Sequence, residues 1–187
     1  MADRTLKRAV FADLELTCWE GEPPVGEACE IIQIGVAEID LCDLELRRTF
    51  SRIVRPTESR ISEFCERLTG ITPAIAKSGR PFAEVARSLC REFGATPWYA
   101  WGDDQSALAA AARRHDCEMP LSGTQLNLSG VFHQLFGLRR KYALDEALTH
   151  LGLAFEGRQH DALDDAINTA RLFGALARRL RPPVLPT

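Results

Sequence analysis

Apolar positions along this chain first run together in short blocks and later recur at helical spacing, and each texture predicts its own kind of element. Residues 8–16 (Arg-Ala-Val-Phe-Ala-Asp-Leu-Glu-Leu) are mostly apolar, and a short apolar block bounded by loop residues predicts a buried strand. Gly21, Pro23, Pro24 and Gly26 break the next stretch into a loop, since neither residue type continues a helix or a central strand. Residues 31–39 are β-branched and apolar on both faces, which predicts a central strand. A turn at 40–43 leads into a strand over 44–54, where Arg47, Arg48 and Arg52 mark a more exposed edge. Short connections between three successive strands predict an antiparallel meander.

After Pro56 the period changes. Ser62 is placed to cap a short helix through Leu68 that Gly70 ends, and Thr72-Pro73 opens another turn of helix. Pro81 stands before Phe82, Val85, Ala86, Leu89, Cys90 and Phe93, apolar at helical spacing and stopped by Gly94. Short strands are predicted over 98–101 and 125–128, and helices over 103–115, 130–136, 144–151 and 163–180. Pro182-Pro183 ends the last helix and leaves 182–187 as a disordered tail. The order predicts an α/β fold over residues 1–181. One mixed five-stranded sheet, antiparallel at one side and parallel at the other, carries helices on both faces.

Composition narrows the class. A chain of 187 residues with 45% hydrophobic content is long enough for one domain with a substantial core. The formal net charge of −3 argues against a protein that coats duplex nucleic acid by bulk charge, though not against one that grips a single strand end. Six scattered cysteines show no Cys-x-x-Cys spacing, and the histidines complete no zinc pattern. Reduced, mostly buried thiols, no secretory leader and no membrane-length apolar run point to a cytoplasmic protein without membrane contact.

Asp13 and Glu15 are two apart in the first predicted strand, so they share one face, while Val10, Ala12 and Leu14 fill the other. Two acids on a buried face repel each other and lose hydration, and a hard divalent cation with oxygen ligands relieves both costs. Alternatively, an exposed edge would leave the pair without a role. Two more acids, Asp103 and Asp104, follow the short strand at 98–101. Capping needs one of them. Asp104 is preferred for other work, because Leu108 one helical turn later can anchor it to the core. His160-Asp161-Ala162-Leu163-Asp164-Asp165 opens the last helix, where His160 and Asp165 can straddle one site from loop and helix. Four carboxylates and a histidine suit phosphodiester hydrolysis, with two divalent ions clamping the attacking and leaving oxygens and an imidazole taking a proton.

The order Asp13, Glu15, Asp104, His160, Asp165 resembles the DEDDh family of 3′-to-5′ exonucleases. The flanking residues resemble its Eri-type branch, which includes the histone-mRNA 3′-exonuclease. These are Phe11 to Gly21, Glu30-Ile31-Ile32-Gln33-Ile34-Gly35, Leu68-Thr69-Gly70-Ile71-Thr72, Asn127-Leu128 and Gly157 to Ala166. The resemblance covers residues 8–178. It implies a ribonuclease-H-like exonuclease fold, two Mg²⁺ or Mn²⁺ ions, and release of nucleoside 5′-monophosphates from a 3′ end. By motif, Asp13 would bridge both ions, Glu15 and Asp165 would complete one site, Asp104 would support the other, and His160 would be the general base. The family's spacing leaves Asp103 open beside Asp104. Leu14, Thr17, Ile71 and Trp101 are the candidate substrate contacts, Trp101 by stacking. Arg139-Arg140-Lys141 and Arg178, Arg179 and Arg181 are candidate backbone tracks, or solvated faces. The accessory nucleic-acid-binding domain of some animal relatives finds no room in this length, so their stem-loop substrates do not carry over. The expected partner is a single-stranded 3′ end, RNA favoured over DNA. A DNA exonuclease and a catalytically silent binding protein on the same fold are the competing readings.

Overall fold

The computed structural model describes residues 6–180; the tail predicted at 182–187 lies outside them. Strands β1 (Arg8–Leu16), β2 (Ile31–Asp40) and β3 (Leu46–Ile53) form the meander, followed by helices α1 (Glu63–Thr69), α2 (Pro73–Ser78) and α3 (Phe82–Glu92). Then come β4 (Trp98–Ala100), α4 (Asp104–Arg114), β5 (Gln125–Asn127), α5 (Leu128–Phe136), α6 (Leu144–His150) and α7 (Ala162–Leu180). The sheet order is β3-β2-β1-β4-β5. The β1–β2 and β2–β3 pairs are antiparallel, and β1–β4 and β4–β5 are parallel, the mixed arrangement that the short and long connections predict.

Alternation along β1 divides the core. Val10, Ala12 and Leu14 pack with Ile34, Val36 and the α3 and α4 residues Phe82, Leu89 and Leu108 on one face. Ala9 and Phe11 pack with Ala37, Ile39 and the α7 residues Ala166 and Ala170 on the other. Asp13 and Glu15 continue the α7 face, so the first strand presents its acids toward the last helix.

Two boundaries differ from the sequence reading by two residues, the others by one at most. Strand β3 starts at Leu46 rather than at 44, because Leu44 adopts φ +65° inside a turn that the Asp40 and Asp43 side chains close by accepting from the Cys42 and Glu45 N–H groups. Helix α5 starts at Leu128, because the Asn127 side chain accepts from the Gly130 N–H and caps it there.

Candidate active site

The site is built where α7 begins against β2. Gly35 lies opposite Asp13 in the β1–β2 ladder, and Gln33 opposite Glu15. A Cβ on Gly35 would overlap the Ala162 carbonyl and the Leu163 nitrogen, so only glycine lets the helix start sit directly on the strand. The Gln33 side-chain amide then grips that start: its N–H donates to Asp161 at 3.0 Å and its oxygen accepts from the Ala162 N–H at 3.3 Å. The other Asp161 oxygen caps the helix, accepting from the Leu163 and Asp164 N–H groups. One turn on, Asp165 faces Asp13 and Glu15. Ligand oxygens of Asp13, Glu15 and Asp165 all lie within 4.8 Å of one another. Gln33, Gly35 and Asp161 lie within the motif stretches 30–35 and 157–166, but hydrophobic patterning gives none of them this role, which depends on contacts between the two stretches.

The loop before α7 is held in a conformation of its own. Gly157 has φ +84° and His160 φ +61°, the latter uncommon for a residue with a side chain. Helix acids fix both turns: the Arg158 N–H donates to Asp164 and the His160 N–H to Asp165, each at 2.8 Å. His160 thus lines the same cavity as Asp165 and is tied to it through the backbone.

Electrostatics separate these acids from an ordinary buried carboxylate. Glu30 is as little exposed as Glu15, and burial alone would raise it, yet the Thr57, Ser59 and Glu58 N–H groups and the Thr57 hydroxyl donate to it and hold it below the usual range. Burial pushes Asp13 well above the usual range, and the charges of Asp104, Asp165 and Glu15 push it further. Burial raises Glu15 to about 8, helped by Asp165 and Asp161, while the Arg158 guanidinium pulls it back. Asp165 rises to about 7, again chiefly by burial, with the His160 N–H opposing. Asp104 rises to about 6, by burial and then by Asp103. These acids face one another, and the backbone donors they have, such as the His160 N–H on Asp165, do not offset their burial; the donor set fits hard divalent cations.

Asp103 and Asp104 part company at the start of α4. Both Asp103 oxygens are taken up by Ser106, one from its N–H and one from its hydroxyl at 2.8 Å. Asp104 is left to add its charge to Asp13.

A cavity of about 320 Å³ opens over the cluster, lined by Asp13, Leu14, Glu15, Trp101, His160 and Asp165 among others. Trp101 donates its indole N–H to the Tyr142 carbonyl at 3.2 Å and packs edge-on against Phe132, so its ring is fixed as a wall. A larger cavity of about 650 Å³ lies between α3 and the 116–118 turn and contains none of these acids. Two of the expected substrate contacts lie outside the cluster's cavity. Thr17 is buried, with its hydroxyl donating to the Ala28 carbonyl and accepting from the Glu30 N–H; it is committed to the 18–30 loop. Ile71 is buried with Ile32, Cys65 and Ala76. Of the basic runs, Arg140 is held by Glu146 at 2.7–2.8 Å and lies over the Tyr142 ring. Arg178 and Arg179 lie on α7 about 20 Å beyond Asp165, where they meet Glu45 and the Leu151 carbonyl; Arg181 is outside the described residues.

The exonuclease model of the RNase T family matches residues 10–173. The chain belongs to the exonuclease family. It is 29% identical over 195 residues to the 3′-5′ exonuclease Snipper of Drosophila melanogaster, covering 90% of this chain and 69% of that protein. It is 30% identical over 184 residues to 3′-5′ exoribonuclease 1 of Homo sapiens, covering 91% of this chain and 52% of the relative. The chain thus spans about half the length of that exoribonuclease. The nuclease domain of 3′hExo, a DEDDh family member solved bound to rAMP, matches with a TM-score of 0.82 at 28% identity, covering 96% of this chain and 94% of that one. The Eri-type DEDDh resemblance read from the motifs, and the fold it implied, agree with these likenesses.

Proposed function

We propose that the chain is a metal-dependent 3′-to-5′ exonuclease. It removes nucleotides one at a time, as nucleoside 5′-monophosphates, from the 3′ end of single-stranded RNA or short oligoribonucleotides. The observation that carries this reading is the Asp13, Glu15 and Asp165 trio within 4.8 Å, at the floor of a cavity walled by Trp101 and edged by His160. The exoribonuclease relatives and the rAMP-bound likeness support the polarity and favour RNA.

Asp13, Glu15, Asp104 and Asp165 are the residues that would hold two divalent ions, Mg²⁺ or Mn²⁺. When bound, the ions neutralise these acids and polarise the phosphodiester and the attacking water. The remaining work falls to the chain. The Leu14 side chain and the Trp101 ring bound the space for the terminal nucleoside, a contact that tolerates any base. His160, a residue type able to take a proton near neutral pH, accepts one from the attacking water. Its backbone bond to Asp165 couples the placement of the base to that of a ligand.

The test is a time course on 5′-labelled RNA and DNA oligomers with Mg²⁺, Mn²⁺ or excess chelator. The expected result is a ladder of shortening strands with either metal, faster on RNA, and none in chelator. Release of the 5′ label first as a mononucleotide would reverse the polarity. Full turnover in chelator would refute the metal mechanism, and faster cutting of DNA would assign the enzyme to DNA.

A further inference from the structure

Arg158 is a cation that neither the fold nor the acid cluster uses up. It is exposed, and among the described residues no carboxylate oxygen lies within 4.0 Å of its guanidinium. Its one side-chain hydrogen bond among the described residues is long, 3.4 Å to the Leu68 carbonyl. Yet the group is not loose. It lies in the space left by the missing side chain of Gly70, whose φ of +70° ends α1, and a Cβ there would overlap the guanidinium. At the other end its backbone N–H is tied to Asp164. The arginine is therefore posed between two fixed turns with most of its five donors unused.

Its position relative to the acids is informative. Gln159 and His160 line the cavity over the cluster, while Arg158, Leu68 and Gly70 do not. Arg158 stands just outside the cavity, next in the chain to Gln159 on its lining, and its positive charge favours the ionised form of Glu15. A strand with its terminal nucleoside in the cavity and its scissile phosphate over the acids must run out past one rim. Planar, always-charged guanidinium suits two-point recognition of a phosphate.

We infer that Arg158 is a substrate-binding residue whose guanidinium grips the backbone phosphate one step 5′ of the bond being cut. The inference rests on the exonuclease reading. It adds a requirement: efficient substrates have at least two phosphodiester linkages at the 3′ end, and the second is read by this arginine. The chemistry recognised is the phosphate alone, so the contact serves any base sequence.

Two substrates separate the possibilities. One is a ten-nucleotide oligoribonucleotide; the other is an aryl ester of a nucleoside 5′-monophosphate, with one cleavable phosphodiester and no 5′ neighbour. Arg158→Ala, Arg158→Gln and Arg158→Lys are compared with the parent protein with Mg²⁺, after melting curves show that each is folded. Expected for Ala and Gln are a KM about 10-fold higher on the oligomer with kcat within about threefold, and unchanged turnover of the ester. The slope of log binding constant against log salt, from anisotropy of the labelled oligomer with Ca²⁺, should fall by about 0.7, the loss of one single-strand phosphate contact. Lys should keep that slope while recovering only part of the KM. An equal loss on the ester would place Arg158 at the scissile phosphate and overturn the assignment. A KM effect with an unchanged salt slope, or no effect on the oligomer, would overturn it as well. If the parent protein cuts neither substrate, the exonuclease reading falls, and the Arg158 assignment falls with it.

Discussion

Removing divalent metal should make the stability of this protein depend on pH in a direction opposite to ordinary acid denaturation. The perturbation is dialysis against chelator, followed by melting at pH 5, 6, 7 and 8. Glu15 is raised from 4.5 to about 8, Asp165 from 3.8 to about 7 and Asp104 to about 6. A raised carboxyl binds its proton more tightly in the fold than in the unfolded chain. Its contribution is complete below about pH 4, where both states are protonated, and is lost as pH rises through the folded values. Each tenfold change in proton affinity is worth about 1.4 kcal/mol. Glu15 is only 7% exposed, so its loss between pH 5 and pH 8 is on the order of 4 kcal/mol. For a chain of this length that lowers Tm by about 8–16 °C. Carboxylates that the fold holds low, such as Glu30, act the other way at lower pH, so the metal-free optimum falls near pH 5. Saturating Mg²⁺ should flatten the profile, because a cation compensates the charges that the empty cluster cannot. Glu15→Gln should make it shallower without metal, leaving the part due to Asp165 and Asp104. A metal-free Tm constant from pH 5 to 8, or an equal fall with and without Mg²⁺, would refute the idea that mutual repulsion of these acids is what the cation relieves.

His160→Ala should slow the chemical step by about 10²–10⁴ with metal affinity nearly intact, read by single-turnover rates and metal titration. His160→Gly should lose the same activity but melt no lower than the alanine variant, since φ +61° suits glycine. Asp165→Ala should weaken metal binding itself and regain part of its activity with excess Mn²⁺; equal metal loss in the His160 variants would mean that the histidine is a ligand. Asp13→Asn should abolish cutting while leaving the metal-free protein as stable as the parent or more so, measured by melting in chelator. Gly35→Ala should destabilise by about 1–3 kcal/mol and lose metal affinity, because the start of α7 must lift off β2; a wild-type melting curve and metal titration would refute that packing.

Much of the frame could be read locally. Alternation alone puts Asp13 and Glu15 on one face, and connection lengths alone give the parallel and antiparallel halves of the sheet. Caps were visible where the residue type permits few alternatives, as at Ser62, Gly70 and Thr72. What escaped depends on partners far along the chain. Gln33 looks like a stray polar residue in an apolar strand until Asp161, 128 residues later, arrives beside it. Gly35 looks like a weak point until α7 occupies its empty face. The hydroxyl of Thr17, an expected substrate contact, finds its partners 11 and 13 residues on, in the Ala28 carbonyl and the Glu30 N–H. The left-handed turn at His160 has no composition signal, since it is imposed by two helix acids on the loop before them.

The Gln33–Asp161 clasp also bears on when, during synthesis, this chain acquires its chemistry. Strands β1 to β3 leave the ribosome early and can pair with one another as soon as they do. They carry Asp13 and Glu15 but not the third acid, and the clasp that seats it has no second half until residues 161 and 162 emerge. A nascent chain is thus a sheet with two repelling acids and no complete metal trio. The carboxylate trio is completed only when the last helix is made, so the chemistry of the site is the last property the chain acquires.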